Sequence, residues 1–517
     1  MVSEQSISKK IIRNTIFNAV GRFWGILVAL ILTPYIIRHI GIERYGIWAL
    51  VGVLTGYFGL LDFGIRTSFV KYISEYYTKK DYEKINQVVN TGFVFYSIFA
   101  IFVISLGFFA INPLVTFFKI PSHLYNEATF VFLLGIIIFC VSNALSPFGA
   151  IQTGLQRMGI SNKVAIGLSI PNIAGTIFFL ESGYGLPGLI VNNAIIFAAT
   201  STINIVIAFR ILPELQFNPF LFTKEMFKKL FGFGYKLQVS RFANLVSFQT
   251  DKLLIMYFLE LGMVTFYQLG SSITQSVRGM TLILISALIP AASELEASGG
   301  KGILNELYLR GSKYLILVST PILFFVITNA SLIMLAWMGG GYDKSALVIQ
   351  VLAVGYFAAT VTGVASSIAT GVAKTEFEMK FAIFLAILNL FLSLILIIKI
   401  GFIGAVIGTT FSLTVASFYY MKIFHKYLDS PLSRFTWLFY KPIIACIIPS
   451  LIMFILNYRI WSIRADSGRL VNLIALGLNM LLFGGMYIAF ILLNKYLDEY
   501  DKELIKNNFP LLRYLLK

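Results

Sequence analysis

Residues 91–109 read TGFVFYSIFAIFVISLGFF, nineteen residues without a charged side chain. A bilayer core about 30 Å thick is crossed by roughly 20 apolar residues in a helix, which matches the length of this stretch. Backbone groups inside lipid must bond within a helix or a closed barrel, and a barrel strand needs only about 10 residues. The stretch therefore predicts a transmembrane helix.

The same pattern recurs along the whole chain. Its 517 residues are 58% hydrophobic and only 13% charged, with a mean hydropathy of +0.82. This is more apolar surface than a water-facing exterior could hide, so the solvent is lipid. We identify six apolar stretches between residues 11 and 209, six between 237 and 423, and two between 443 and 493. The expected fold is an all-α integral membrane protein with about 14 transmembrane helices.

The two halves of the chain echo each other. Residues 21–23 (GRF) correspond to 240–242 (SRF), and residues 40–41 (IG) correspond to 261–262 (LG). Since each half has an even number of spans, the repeats share one orientation and are related by a pseudo-two-fold axis along the membrane normal, as in many transporters. The expected domains are an N-terminal six-helix lobe (1–213), a C-terminal six-helix lobe (214–426), two additional transmembrane helices (427–494) and a cytoplasmic amphipathic tail (495–517).

The basic residues fix the expected orientation. About 28 Lys and Arg lie on the side of the N-terminus and about 8 on the other side, and cytoplasmic loops collect such residues. Both termini are therefore expected in the cytoplasm, in the inner (plasma) membrane, and the first apolar stretch reads as a retained span rather than a signal peptide. This bias also explains the net charge of +17 without a nucleic-acid partner. Cys140 and Cys446 lie in apolar runs, which favours neither a disulfide nor a metal site.

Several charged residues fall within or at the edge of the predicted spans. A cation at a helix centre costs about 2.5–3.5 kcal/mol on insertion scales, so these side chains are expected to face an aqueous cavity and bind substrate. The cations are Arg22, Arg66, Arg241, Lys252 and Arg278, and the acidic residues are Asp62 and Asp251. Arg66 has an alternative reading, because it can reach the headgroups from its helix end and pair with Asp62 one turn earlier.

Two readings of the acidic residues stay open. Asp251 and Lys252 are adjacent and cannot face each other on a helix, so Asp251 either pairs with an arginine or binds a coupling cation. Motifs for catalysis are missing: the sequence contains no phosphate-binding G-x-x-x-x-G-K-[ST] loop, no G-x-S-x-G and no metal-ligand cluster. We therefore expect no enzyme and no cofactor. A membrane-embedded polysaccharide polymerase is the enzymatic alternative, and the short outer loops argue against it.

Short motifs in both halves resemble the Wzx-type polysaccharide and O-antigen flippases. This family belongs to the superfamily that also holds the MATE drug exporters and the peptidoglycan-precursor flippases. The matching segments are LTPY (32–35), IGIERYGIW (40–48), LLDFGI (60–65), QTGLQR (152–157) and DKLLI (251–255), with Leu261, Gly262 and Tyr267.

The resemblance implies two six-helix lobes that open a central cavity to each side in turn. The implied cargo is an oligosaccharide repeat unit on undecaprenyl pyrophosphate, moved from the inner to the outer leaflet for O-antigen, capsule or exopolysaccharide synthesis. A basic cavity suits pyrophosphate because arginine presents a planar fork of donors. Sodium or proton coupling through Asp62 or Asp251, and a polysaccharide polymerase and chain-length regulator as partners, are further expectations. The closest alternative is a cation-coupled exporter of drugs or other small molecules.

Overall fold

A computed structural model describes the backbone of residues 4–62, 64–283, 285, 288–458, 468–494 and 496–508. Side chains are described at 21, 23–60, 64–232, 242–283, 285, 288–289, 291–296, 301–458, 468–494 and 496–503. Within these ranges all regular elements are helices, which confirms the predicted fold class.

The helices follow one another with short connections. They are α1 (Glu4–Phe58), α2 (Ile65–Thr78), α3 (Tyr82–Phe117), α4 (Tyr125–Gly154), α5 (Met158–Glu181), α6 (Gly185–Ile211), α7 (Lys224–Phe258), α8 (Leu261–Ile283), α9 (Leu288–Thr328), α10 (Ala330–Trp337), α11 (Asp343–Val361), α12 (Gly363–Gly371), α13 (Glu376–Ile400), α14 (Phe402–Leu428), α15 (Leu432–Leu456), α16 (Arg469–Leu493) and α17 (Glu499–Asn508). Single turns of 3₁₀ helix lie at Gly59–Asp62, Ser122–Leu124 and Pro219–Leu221.

Eleven helical segments in the described part of the chain are long and apolar enough to cross a membrane. One of them, Phe23–Phe58 in α1, contains parts of two predicted spans, which meet at Gly41 with φ +82°. Two predicted spans, at 237–259 and 264–291, have no counterpart among the eleven segments. They correspond to α7 and α8. The count of 14 crossings stays a prediction. These two helices carry four charged residues of the predicted site, Arg241, Asp251, Lys252 and Arg278.

Internal contacts divide the helices into two compact units, Met1–Thr265 and Phe266–Lys517, called here the N-terminal and C-terminal units. The N-terminal unit includes α7 and the first turn of α8. There the backbone of α1 approaches α8 so closely that a Cβ at Gly46 would lie 2.7 Å from the carbonyl oxygen of Leu261. The Thr265 hydroxyl donates to the carbonyl of Ile42 at 2.6 Å. The lobe boundaries at 213, 426 and 494 stay a prediction.

The C-terminal unit shows how the last two spans attach. Asn329, Asn457 and Asn479, called here the asparagine cluster, join α9 and α10 to the end of α15 and to α16. The Nδ2 atoms of Asn457 and Asn479 both donate to Asn329 Oδ1, at 3.2 and 2.8 Å, and Asn479 also donates to Asn457 Oδ1 at 3.0 Å. Hydrogen bonds between polar side chains hold helices together in lipid, where the hydrophobic effect between helices is missing.

The tail is docked on the same unit. Lys313 of α9 forms ion pairs with Asp498 and Asp501, and the Tyr314 hydroxyl donates to Asp501 Oδ1 at 2.6 Å. Asp498 and Asp501 also accept each other's backbone N–H, at 2.9 and 3.0 Å, which caps the start of α17. The tail is thus fixed to the middle of α9 by a polar cluster rather than by apolar packing alone.

Candidate substrate-binding sites within the helical units

Lys252 of α7 is a buried cation with a neutral partner. Its side chain is 6% exposed, and Nζ donates to Gln249 Oε1 at 2.8 Å, one turn earlier on the same helix. Among the described side chains no carboxylate forms an ion pair with it. A buried charge is costly unless it is paired. The ammonium therefore has bonding capacity left for an anion.

The region around Lys252 is tied to α1. The Tyr57 hydroxyl and Thr250 Oγ1 lie 2.7 Å apart and link α1 to α7. Thr250 directly precedes Asp251 and Lys252 in the sequence. Asp251 is fully buried in the same turn. An acidic residue and a basic residue of the predicted site thus lie in one buried turn of α7. Because they are adjacent, their side chains point in different directions from the helix axis.

Arg278 of α8 lies in the C-terminal unit. Its guanidinium carbon is 5.9 Å from the centre of the Tyr356 ring on α11, within the range of a cation–π contact. Its Nε is buried, and among the described residues it has no hydrogen-bond partner. Buried donors in native proteins are nearly always bonded, so an unfilled one marks a place for a ligand or water.

Arg66 lies in the first turn of α2, exposed, at a cavity of ≈ 380 Å³ inside the N-terminal unit. Three polar side chains of that cavity region bond to each other. Ser161 donates to Gln152 Oε1 at 2.7 Å, and Gln152 Nε2 donates to Asn204 Oδ1 at 2.8 Å. The cavity thus offers one cation beside neutral hydroxyl and amide groups. The alternative pairing with Asp62 concerns a side chain outside those that the structure describes.

A second cavity of ≈ 380 Å³ lies in the same unit, and Ser142 lines both. Its lining includes Trp48, Thr55 and Asn193, an aromatic ring among hydrogen-bonding groups. These neutral residues are not among the site residues predicted from the sequence. A signal was present: the polar residues that line the first cavity recur at helical spacing within apolar runs, at Ser142, Ser146 and Thr153 on α4 and at Thr200, Ser201 and Asn204 on α6.

Outside the predicted spans, lysines and tyrosines of α2 and α7 form a basic-aromatic cluster. Lys229 Nζ is 2.7 Å from the Tyr76 hydroxyl, and this hydrogen bond raises the pKa of Lys229. Lys71 lies 4.3 Å from the centre of the Tyr72 ring, and the two tyrosine rings stack at 6.2 Å. Lys229 therefore stays charged at neutral pH.

The predicted site residues divide between the two units. Arg66, Asp251 and Lys252 are in the N-terminal unit and Arg278 is in the C-terminal unit. The side chains of Arg22, Arg241 and Asp62 are outside those that the structure describes, so their placement stays a prediction. In the described residues no group of three or more His, Cys, Asp or Glu is arranged to hold a metal ion.

Comparisons with known proteins find one matching family and relatives that are described as transporters or flippases. A family model described as "Polysaccharide biosynthesis protein" matches residues 11–296. The chain is 23% identical over 351 residues to a putative O-antigen transporter of Shigella flexneri, covering 67% of this chain and 81% of that protein. The structure is similar to that of the lipid II flippase MurJ in an inward closed conformation, with a TM-score of 0.67 at 15% identity over 94% of this chain and 99% of that one. It is also similar to an inward-facing multidrug resistance MATE family transporter of the MOP superfamily, with a TM-score of 0.65 at 13% identity over 80% and 94% of the two chains.

Proposed function

Because the chain belongs to the polysaccharide biosynthesis protein family and has the fold of the MurJ and MATE transporters, we propose that it is a lipid-linked oligosaccharide flippase. It moves oligosaccharide repeat units on undecaprenyl pyrophosphate from the inner to the outer leaflet by alternating access, for a surface polysaccharide. It is a multi-pass membrane protein, and both termini are proposed to lie in the cytoplasm.

The observation that carries this proposal is the state of the buried cations. Lys252 is bonded to a neutral amide, and the Nε of Arg278 lacks a partner among the described residues. Pyrophosphate supplies many acceptor oxygens, and hydrogen bonds between charged groups are the strong ones. A cargo with a pyrophosphate group would therefore satisfy both cations during its passage.

The polar cavities of the N-terminal unit suit the other end of such a cargo. Sugars present hydroxyl groups, each a donor and an acceptor, and Gln152, Asn204 and Ser142 line or adjoin space where such groups could bond. Trp48 adds an aromatic surface. Groups suited to phosphate and groups suited to sugar are thus both available within the two helical units.

One observation favours a second candidate, a cation-coupled exporter of small molecules. Asp251 is a fully buried carboxylate, the group that a cationic drug would seek. In the flippase, Asp251 instead serves charge pairing or the binding of a coupling sodium ion or proton, with Asp62 as the other candidate. A polymerase and a chain-length regulator are proposed as partners on the same pathway.

The test is transfer of a fluorescent oligosaccharide on lipid pyrophosphate between leaflets of proteoliposomes, under an imposed sodium or proton gradient. We expect transfer by the parent and a roughly ten- to hundredfold loss in Lys252→Gln and Arg278→Gln, because a hydrogen bond to a charged group contributes about 1.5–3 kcal/mol. The matched control is Lys426→Gln, which removes the same charge at an exposed position of α14.

Two outcomes would contradict the proposal. Equal losses in all three variants would show a general charge effect instead of cargo binding. Absence of lipid transfer combined with gradient-driven ethidium transport that Asp251→Asn abolishes would identify the exporter.

A further inference from the structure

The connector between α6 and α7 is fastened to α3 through its backbone. Asn86 Nδ2 donates to the carbonyl of Glu214 at 3.0 Å, and Asn86 Oδ1 accepts from Gln216 N at 2.9 Å. Asn90 repeats the pattern one turn later: Nδ2 donates to the carbonyl of Gln216 at 2.7 Å, and Oδ1 accepts from Asn218 N at 2.9 Å. Each amide bonds the extended segment as a neighbouring strand would. Both asparagines are buried, so the connector has a fixed position.

The connector runs toward the apolar part of α3. Asn90 lies about 6 Å farther along the helix than Asn86, at 1.5 Å per residue. The segment 214–218 follows α3 in the same direction, from the level of Asn86 to that of Asn90. Thr223 N then bonds to Thr91 Oγ1 at 3.3 Å, so the chain returns at nearly the same level. Beyond Thr91 the sequence of α3 is the long apolar stretch that crosses the membrane.

The tip of the connector is apolar and exposed. Residues 217–222 read FNPFLF, without a charged side chain. Phe220 is 94% exposed, in the middle of a 3₁₀ turn (Pro219–Leu221) that Asn218 caps by accepting from Phe220 N at 3.1 Å. Phe222 is 39% exposed. Phe217 packs edge-to-face on Phe93 of α3 at 4.8 Å, which places the tip beside the first apolar turn of that helix.

We propose that this tip is inserted into the lipid interface on the cytoplasmic side and anchors the connector to phospholipid. Aromatic side chains beside lysines are typical of segments held at the boundary between headgroups and acyl chains. Lys224 and Lys228, one turn apart and exposed at the start of α7, lie next to the tip, where they meet headgroup phosphates. The level of the tip along α3 favours lipid over a soluble protein partner. This inference is independent of the cargo.

The anchor has a mechanical consequence for α7. Thr223 caps this helix by accepting from Met226 N at 3.2 Å, so the connector and the first turn of α7 are one rigid piece. The same helix carries Lys252. Holding its cytoplasmic end at a fixed depth keeps that end of α7 stationary with respect to the bilayer, about 40 Å along the helix from Lys252 at 1.5 Å per residue.

Depth can be measured with a nitroxide label. Both native cysteines, Cys140 and Cys446, are buried, and a Cys140→Ala Cys446→Ala background removes them. Single cysteines then replace Phe220, Thr78 at the exposed end of α2 and Ile98, exposed on the apolar part of α3. Collision rates with oxygen and with a water-soluble nickel chelate are recorded in phosphatidylcholine vesicles with and without phosphatidylglycerol.

We expect the label at 220 to be shielded from nickel relative to 78 and to lie at a depth between 78 and 98. Phosphatidylglycerol should draw it deeper, and Lys224→Gln Lys228→Gln should remove that increment. Nickel accessibility at 220 equal to that at 78 would overturn the proposal and identify the tip as a surface for a soluble partner. An identical depth in both lipid mixtures would show that Lys224 and Lys228 do not bind headgroup phosphates, and that part of the proposal would be wrong.

A second variant tests the fastening without changing the tip. Asn86→Leu Asn90→Leu removes the four hydrogen bonds between these two side chains and the connector and keeps the bond from Thr223 N to Thr91 Oγ1. The label at 220 should then give a more mobile spectrum and a broader range of depths. An unchanged spectrum would show that the asparagines do not set the position of the tip.

Discussion

Two groups of amide side chains lie among the apolar helices, and they differ in what they surround. In the N-terminal unit Gln152 and Asn204 bond to each other beside a cavity of ≈ 380 Å³. In the C-terminal unit the asparagine cluster bonds to itself between packed helices, and Asn329 Nδ2 also donates to the carbonyl of Phe325 at 3.0 Å. The same residue types join packed helices in one place and border an open cavity in the other. The difference depends on whether the surrounding helices pack against one another or leave a cavity.

The largest expected effect is on the closed group. Asn329 accepts from Asn457 and Asn479, so Asn329→Leu takes one of two acceptors from each amide; Asn457 keeps the Thr328 carbonyl and Asn479 keeps Asn457 Oδ1. A buried group that loses all of its hydrogen bonds costs about 1–3 kcal/mol, and each of the two amides loses half of its donor bonds. With the bond from Asn329 to the Phe325 carbonyl also lost, we expect a decrease of roughly 2–4 kcal/mol in the free energy of unfolding. Denaturation in detergent micelles measures it. Asn193→Leu, in the open cavity, is the matched control and should cost far less stability. Equal destabilisation would erase the distinction between the groups.

The second prediction concerns the depth of the cations. Arg22 and Arg241 are expected to lie deeper from the cytoplasmic ends of their helices than Arg66, which is exposed at the start of α2. Arg22→Ala and Arg241→Ala should each reduce lipid transfer roughly tenfold or more, since a buried charged hydrogen bond contributes about 1.5–3 kcal/mol, and Arg66→Ala should reduce it less. Initial rates in proteoliposomes provide the measurement. Comparable losses in all three, or none, would remove the depth argument.

Filling the open cavity should have a smaller effect. Ser142 lines both cavities of the N-terminal unit, and Ser142→Leu places a larger apolar group between them. We expect transfer of the oligosaccharide lipid to fall several-fold while the melting temperature stays the same or rises. Val141→Leu, one residue away and facing outward, is the control and should change neither. Full transfer by Ser142→Leu would exclude these cavities from the cargo path.

The smallest effect is expected at the docked tail. The backbone N–H of Asp501, followed by the Lys313 ammonium, lowers the pKa of Asp498 below its ordinary 3.8. A carboxyl with a lowered folded-state pKa stabilises the fold above its unfolded value, and this contribution is lost as the pH falls through the folded value. The melting temperature should therefore decline below about pH 4 less steeply in Asp498→Asn than in the parent. Because Asp498 is half exposed, screening keeps the difference small. Identical pH profiles would show that the ion pair does not stabilise docking.

The apolar runs predict the helices well because lipid imposes one requirement on every span. The stretch 91–109 lies inside α3 (Tyr82–Phe117), and the expected span at 402–423 lies inside α14 (Phe402–Leu428). Ends are less predictable, since a helix continues past the membrane as long as its backbone bonds within itself. α2 (Ile65–Thr78) was not predicted at all, because it lies between two apolar stretches and is too short to cross the membrane.

The candidate site divides in the same way. A charged residue within an apolar stretch can be recognised from the sequence alone, so Lys252, Arg278 and Arg66 could be selected before the structure was known. The partner of Lys252 could have been found as well, because Gln249 lies three residues earlier. The spacing of Ser142, Thr200 and Asn204 marks polar positions within apolar helices, but the cavity itself forms only where α4 and α6 pack, which the sequence does not show.

The fastening of the connector also determines where its sequence is free to change. Its bonds use backbone atoms of residues 214, 216 and 218 but side chains of Asn86 and Asn90. Evolutionary drift at Glu214 and Gln216 would leave every one of these bonds in place, whereas drift at either asparagine would break two. In related chains this connector should therefore be recognisable from a pair of asparagines four residues apart at the start of the third helix, even where the connector's own residues have diverged.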